Sequence, residues 1–479
     1  MTNLHYTEVP TNEEVSKGNT KKTSWKPFLR QLFISSGIWT PYFSVGLCLG
    51  TPTVFVPQYR RAANSTDAVS VEMASWLSSV FGYASIPAAI FLTCLTSYIG
   101  RKKTFILVSL TMCVVSIGYY LSETPTHLLI TEIVQGIPHA GSMTVSIIAM
   151  VEYTSPKYRG FMLTMKTANV FWAIWAANAI GTFTHWRYIC VVIFINAAYS
   201  LTSFFWPESP TWLASQGRIE ECRKAHRWLK GCDEDSEREL ERLIEYQIED
   251  RKNKLMRRRN FKSLMEIVVD KPFYMPVILS ALMMMVHQLS GKQVCILYAL
   301  DILKKITKSE STAYTGMLIL DGITVLCMYI GSFASKVMKR RTLLFGFGSI
   351  SVFFLFLISL YLYLAHLCVI SENSYITISL LAGFSIAIAL GPLILSTSLY
   401  GELVSTKYKR ESVIIVSLVF AILQATLLKV SPHIFKWFDM HGMFLFYGLS
   451  VSICLMILYK YLPETKDKTL QEIEKYFER

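Results

Sequence analysis

The sequence predicts an all-α membrane protein with twelve transmembrane helices in two pseudo-symmetric six-helix bundles. Three observations carry this. The chain is 52% hydrophobic and only 17% charged, with mean hydropathy +0.38, whereas soluble domains carry about a quarter charged residues. Apolar runs of roughly 20 residues, enough to cross a bilayer, recur about twelve times. The short polar signals at the ends of these runs repeat from the first half to the second.

Residues 1–33 form a polar N-terminal tail. They lack the apolar core of a signal peptide, so the first span is expected to act as its own insertion signal. Spans fall near 34–57, 73–97, 104–122, 128–151, 160–183 and 188–206, giving an N-terminal bundle over 34–206. A polar stretch, 207–272, follows. Its charges alternate and its apolar residues (Leu240, Leu243, Ile244, Ile248) recur at helical spacing, as in short amphipathic helices. It is either a solvated linker or part of a gate. Six more spans, near 274–298, 313–335, 343–366, 376–399, 411–431 and 440–461, form a C-terminal bundle over 273–461, before a tail at 462–479.

The net charge of +13 does not point to nucleic acid, because the basic residues sit in short loops beside apolar spans. Loops after even-numbered spans are the richer: Arg101, Lys102 and Lys103; Lys157 and Arg159; Lys336, Lys339, Arg340 and Arg341; Lys407, Lys409 and Arg410. The positive-inside rule therefore places both termini and 207–272 in the cytoplasm. The sequon Asn64-Ser65-Thr66 then lies outside, where Asn64 can be glycosylated. Most of the ten cysteines lie within spans and no CxxC occurs, so neither a disulfide framework nor a metal site is expected. No nucleophile–base pair or phosphate loop appears; no catalytic residue or cofactor is expected.

The seventh span is unusual. Residues 287–298 carry His287, Gln288, Ser290, Lys292, Gln293 and Tyr298 inside an apolar run. Polar groups facing hydrocarbon cost several kcal/mol each, so this stripe should line a path or a neighbouring helix.

The halves echo each other. Gly100-Arg101-Lys102 follows span two and Lys339-Arg340-Arg341 follows span eight. Glu152 and Arg159 are seven residues apart, as are Glu402 and Lys409. Pro207-Glu208-Ser209-Pro210 follows span six and Pro463-Glu464-Thr465-Lys466 follows span twelve. Three matched pairs in order imply a duplicated six-span unit.

These motifs, with Glu152 to Gly160 and Gln288-Leu289-Ser290-Gly291, resemble the sugar porter family of the major facilitator superfamily over nearly the whole chain. The run from Pro463 to Phe477 is most similar to insect facilitated trehalose transporters. The resemblance implies the major facilitator fold and transport by alternating access, the halves rocking about a midplane site. It implies gating roles for Arg101, Glu152, Arg159, Glu208, Arg340, Glu402, Lys409 and Glu464, which can form ion pairs between the halves at the cytoplasmic ends. Solvated membrane-end charges are the alternative. Exposed pairs contribute about 0–1 kcal/mol each, which suits a balanced switch.

The chain departs from the family at its site. Two glutamines become His287-Gln288, and Ile-Asn becomes Lys292-Gln293. The sugar-binding glutamine of helix five maps to Thr167, the asparagine of helix eight to Thr324 and the stacking tryptophan of helix ten to Thr397. The helix-four arginine maps to Glu132, and the acidic residues of the loop motifs to Ser97 and Lys336. Thr167, His287, Gln288, Gln293, Tyr298, Thr324 and Thr397 are thus the expected substrate-binding set. A Glu132–Lys292 ion pair would offset the burial of each, unless Lys292 snorkels to the outer interface. Lys166, about two turns inside span five, is expected to snorkel inward. His287 could serve proton coupling or be a structural hydrogen-bonded histidine. Span one has no acidic residue between Ile38 and Val56, which favours uncoupled movement.

The expected function is facilitated transport of a sugar or sugar-like solute, with trehalose a candidate, through the plasma membrane by a monomer. The alternatives are a transporter-like nutrient sensor, disfavoured by the short C-terminal tail, and a proton-coupled symporter. Partners are a small solute and the lipid bilayer.

Overall fold

A computed structural model describes residues 25–64, 68–257, 271–298, 302–304, 310–371, 373–403, 409–466 and 476–477. The N-terminal half holds α1 (Lys26–Ala62), α2 (Val71–Ile99), α3 (Arg101–Leu121), α4 (Pro125–Met143), α5 (Val145–Tyr153), α6 (Pro156–Phe183) and α7 (Arg187–Ser200), which ends in a 3-10 turn at Leu201–Phe205. Then come α8 (Pro210–Ser215), α9 (Ile219–Lys230) and α10 (Glu234–Arg257). The C-terminal half holds α11 (Lys271–Leu289), α12 (Lys292–Leu297), α13 (Glu310–Val337), α14 (Arg340–His366), α15 (Ser374–Leu390), α16 (Pro392–Leu403) and α17 (Lys409–Tyr461).

Ten described segments are long and apolar enough to span a membrane. One of them, α17, turns back at Asp439 (φ 54°, ψ −172°) and makes two spans. The twelfth is α6, whose 28 residues suffice in length although Lys166, Asn169 and Asn178 make it more polar. The fold is the twelve-helix arrangement expected.

Local chemistry sets the boundaries. Ser70 caps α2 by accepting from Met73 N, and Thr124 caps α4 by accepting from His127 N. Three spans are broken mid-membrane. One breaks at Thr144, between α4 and α5; one at Gly391-Pro392, between α15 and α16, where proline removes a donor. The third is the polar seventh span. Gly291 sits at φ +71° between α11 and α12, and any Cβ there would collide with the Tyr447 ring. Only glycine meets both demands cheaply.

The described part of 207–272 is a small helical layer with its own core around Trp212, Leu213, Cys222, Leu240 and Ile244. It is docked on the N-terminal half. Arg30 donates to Trp228 O at 2.6 Å, and Trp212 Nε1 donates to Ser97 O at 3.0 Å.

Candidate functional site: a closed cavity between the halves

The cavity lies between the two halves, lined by side chains of α1, α4, α5, α6, α11, α12, α16 and α17. The space open to water-sized molecules is ≈ 70 Å³. The halves touch on both sides of it. At one end, near the α1–α2 connection, Thr53 Oγ1 donates to Leu297 O at 3.1 Å, Trp175 Nε1 to Leu318 O at 3.1 Å and Lys429 Nζ to Glu72 Oε1 at 2.6 Å. At the opposite end Ser417 Oγ donates to Met143 O at 3.4 Å, and an added Cβ at Gly160 would lie 3.6 Å from Arg340 Nη2. The structure is therefore closed toward both faces.

The break at Gly291 arranges the wall. His287, one turn before it, lines the cavity between the rings of Phe171 and Phe420, with centroids 6.5 and 5.8 Å away. Gln293, just after it, lines the cavity as well. Thr167 of α6 and Thr397 of α16 also reach the wall, where their hydroxyls share a 2.7 Å hydrogen bond across the halves. Among the described residues, His287 Nδ1, Gln293 Oε1 and Gln424 Oε1 have no hydrogen-bond partner. Buried polar atoms are nearly always paired, so unpaired ones on a cavity wall mark a place that a polar solute can satisfy.

The other three expected binding residues stand outside the wall. Gln288 is buried beside it. The Tyr298 hydroxyl donates to Leu428 O at 3.2 Å, tying α12 to α17. Thr324 Oγ1 donates to Leu320 O within its own helix at 2.7 Å. In these two cases a backbone carbonyl takes the donor that was assigned to substrate. Sequence reading missed Tyr42, His139 and Gln424, which line the cavity. His139 and Gln424 carried a signal, each being a polar residue inside an apolar span.

Glu132 and Lys292 are not brought together. Glu132 is 1% exposed within the N-terminal half, beside Tyr119 and Cys48. Lys292 does not snorkel either. It is 3% exposed, and its Nζ donates to Ser385 Oγ at 2.8 Å with Asp321 nearby. Asp321, overlooked in the sequence, accepts from Asn178 Nδ2 of the opposite half at 2.9 Å. The compensating charge for Lys292 thus comes from Asp321 on α13 of its own half, not from Glu132. Lys166 does not snorkel inward. It is 4% exposed on the cavity wall, with Nζ 5.4 Å from the centre of the Tyr42 ring.

Among the described residues, the repeated motifs at the span ends make these bonds within each half. Arg101 Nε and Nη2 donate to the two Glu152 carboxylate oxygens at 2.9 and 3.0 Å, within one half. Glu208 Oε1 accepts the backbone N–H groups of Arg101 and Lys102 at 2.9 and 3.1 Å. Glu464 does the same in the other half, accepting from the backbone of Arg340 and Arg341 at 3.1 Å each. Each glutamate caps the positive end of its half's third helix, where a carboxylate is most favourable. Gly100, at φ +104°, leaves the room that the Glu208 carboxylate occupies. The duplicated motif is therefore a duplicated cap. Arg159 is half-buried near Lys230, which is paired with Glu239 of α10 at 2.8 Å. The side chains of Glu402 and Lys409, and the Ser65-Thr66 part of the sequon, lie outside the described residues; Asn64 itself is exposed at the end of α1.

Two six-helix halves around a cavity between them make up the major facilitator fold. The chain belongs to the sugar (and other) transporter family, whose sequence profile matches residues 16–477. It is similar to facilitated trehalose transporter Tret1 of Drosophila pseudoobscura pseudoobscura, with 24% identity over 96% of this chain and 53% of that one. Tret1 of Apis mellifera ligustica is 21% identical over 95% of this chain and 90% of that one. The chain spans about half the length of most of the curated relatives it matches, the Apis protein excepted. Among solved structures, the proton:xylose symporter XylE bound to 6-bromo-6-deoxy-D-glucose superimposes with TM-score 0.77 at 15% identity, covering 94% of this chain and 99% of that one. An inward-open XylE from E. coli gives TM-score 0.69 at 13% identity, covering 94% and 99%.

Proposed function

We propose that this chain carries a sugar or sugar-like solute across the plasma membrane, down its gradient, by alternating access. The observation that carries this is the closed cavity between the halves, with unpaired polar atoms of His287, Gln293 and Gln424 on its wall. Family membership and the trehalose transporters named above support a sugar, and make trehalose a candidate. Substrate-binding roles go to Thr167, His287, Gln293 and Thr397. The halves rock about this cavity, breaking the outer contacts in one state and the inner ones in the other. Hydrogen-bonding sites reject analogues that lack the matching hydroxyls, so the threonines in place of a glutamine and a tryptophan should shift specificity from ordinary glucose. The Lys and Arg distribution supports cytoplasmic termini and an extracellular, glycosylated Asn64. The chain works as a monomer, its cavity being built from one chain alone.

Asp321 favours a second reading. A buried carboxylate bonded across the halves is suited to proton-coupled movement. Uptake of labelled trehalose, glucose and other sugars into expressing oocytes, with and without a pH gradient, separates the two. Saturable uptake that ignores the gradient supports the facilitated carrier. Uptake that follows the gradient supports coupling. No uptake of any sugar despite surface expression contradicts both.

A further inference from the structure

Lys166 is the one Lys or Arg among the residues that line the cavity. The twenty lining residues include no Asp or Glu. Lys166 is 4% exposed, about 15 Å along α6 from its cytoplasmic start by the helical rise of 1.5 Å per residue. It sits over the face of the Tyr42 ring, 5.4 Å away, with His287 nearby, and no carboxylate among the described residues pairs with it. The other buried lysine of the spans, Lys292, has Ser385 and Asp321. Ionic groups buried in a membrane protein are normally paired or turned toward a solute path. An unpaired ammonium is costly, and an anion brought to it recovers that cost.

We propose that Lys166 is a specificity residue that binds a carboxylate on the transported solute, and that the cavity prefers a sugar acid to a neutral sugar. This rests on the sugar-carrier reading and names the substrate class within it. Thr167 and Thr397, beside Lys166, supply hydroxyls to the ring. His287 and Gln293 supply a donor and an acceptor from the opposite half. Tyr42 holds the ammonium over its ring face, an arrangement that stabilises a cation without neutralising it. The Tyr42 hydroxyl is itself fixed by donating to Ser142 O.

The test is thermal unfolding of the full chain in detergent, titrated with D-glucuronate, D-glucose or L-lactate. A charge-assisted hydrogen bond discriminates by roughly tenfold to a hundredfold. Wild type should bind glucuronate at least about tenfold more tightly than glucose. Lys166→Met should bring the ratio of glucuronate to glucose affinity down to about one; Lys166→Arg should retain part of the preference. Glucose binding as tight as glucuronate binding would overturn the proposal and leave the sugar carrier standing. So would a glucuronate preference that survives in Lys166→Met. Lactate binding with neither sugar bound would overturn the sugar reading and the proposal together. If Lys166→Met does not fold, the wild-type comparison and Lys166→Arg decide.

Discussion

Thr167 and Thr397 meet across the two halves through a hydrogen bond of 2.7 Å between their hydroxyls. They stand where the resembled family carries a glutamine and a tryptophan. Here they are too short to span the cavity and instead close on each other. A neutral hydrogen bond contributes about 0.5–1.5 kcal/mol, enough to shift a balanced two-state switch several-fold. Thr167→Val and Thr397→Val should each make the inner cavity more open, and the double variant should equal either single one. Labelling of a cysteine placed at Val416 reads this out. Additive effects would show that the bond does not join the halves in the working protein.

Lys292 and Asp321 make a second test. Asp321→Asn leaves a buried ammonium without its nearby carboxylate, which costs about 3–5 kcal/mol when such a partner is removed. Surface expression and thermal stability should fall sharply. The exchange Lys292→Asp with Asp321→Lys should recover more than the exchange Lys292→Glu with Glu132→Lys, because Glu132 lies in the other half beside Tyr119.

Gly291 tests the break in the seventh span. At φ +71° and against Tyr447, it should not accept a side chain. Gly291→Ala should cost at least about 1–2 kcal/mol from the left-handed conformation alone. Gly346→Ala, where an added Cβ meets nothing within 4 Å, is the control and should leave the melting temperature nearly unchanged.

The helical layer of α8 to α10 should be acid-sensitive. Burial, helped by the charge of Lys230, pushes the His226 imidazole down to about 4. The folded state therefore prefers the neutral ring. The stability this gives is present above the unfolded value of about 6.5 and is lost as pH falls from there toward 4. Among the described residues neither ring nitrogen has a hydrogen-bond partner, so His226→Leu should keep the fold and flatten the loss. Limited proteolysis between α8 and α10 across that pH range measures it.

Much of this was legible in the sequence because bilayer physics leaves a coarse trace. Roughly 20-residue apolar runs and flanking Lys and Arg placed the spans. The polar stripe at 287–293 placed His287 and Gln293 on a cavity. The misplaced side chains share a cause. Sequence position does not say which neighbour a buried charge or hydroxyl will find. Lys292 found Ser385 and the vicinity of Asp321; Tyr298 found a carbonyl; Glu208 and Glu464 found helix N-termini. Asp321 and Lys166 were visible as charges inside spans, but their neighbours depend on how α6, α12 and α13 pack.

The central claim is that a sugar passes through the cavity between the halves. The direct measurement is counterflow of labelled trehalose and glucuronate in proteoliposomes containing the wild-type chain or Gln293→Ala. The account predicts saturable exchange of at least one of them by wild type, reduced at least about tenfold when the Gln293 carboxamide is removed, as for a lost hydrogen bond to a substrate hydroxyl. Exchange undiminished in Gln293→Ala, or none in correctly inserted wild type, would contradict it.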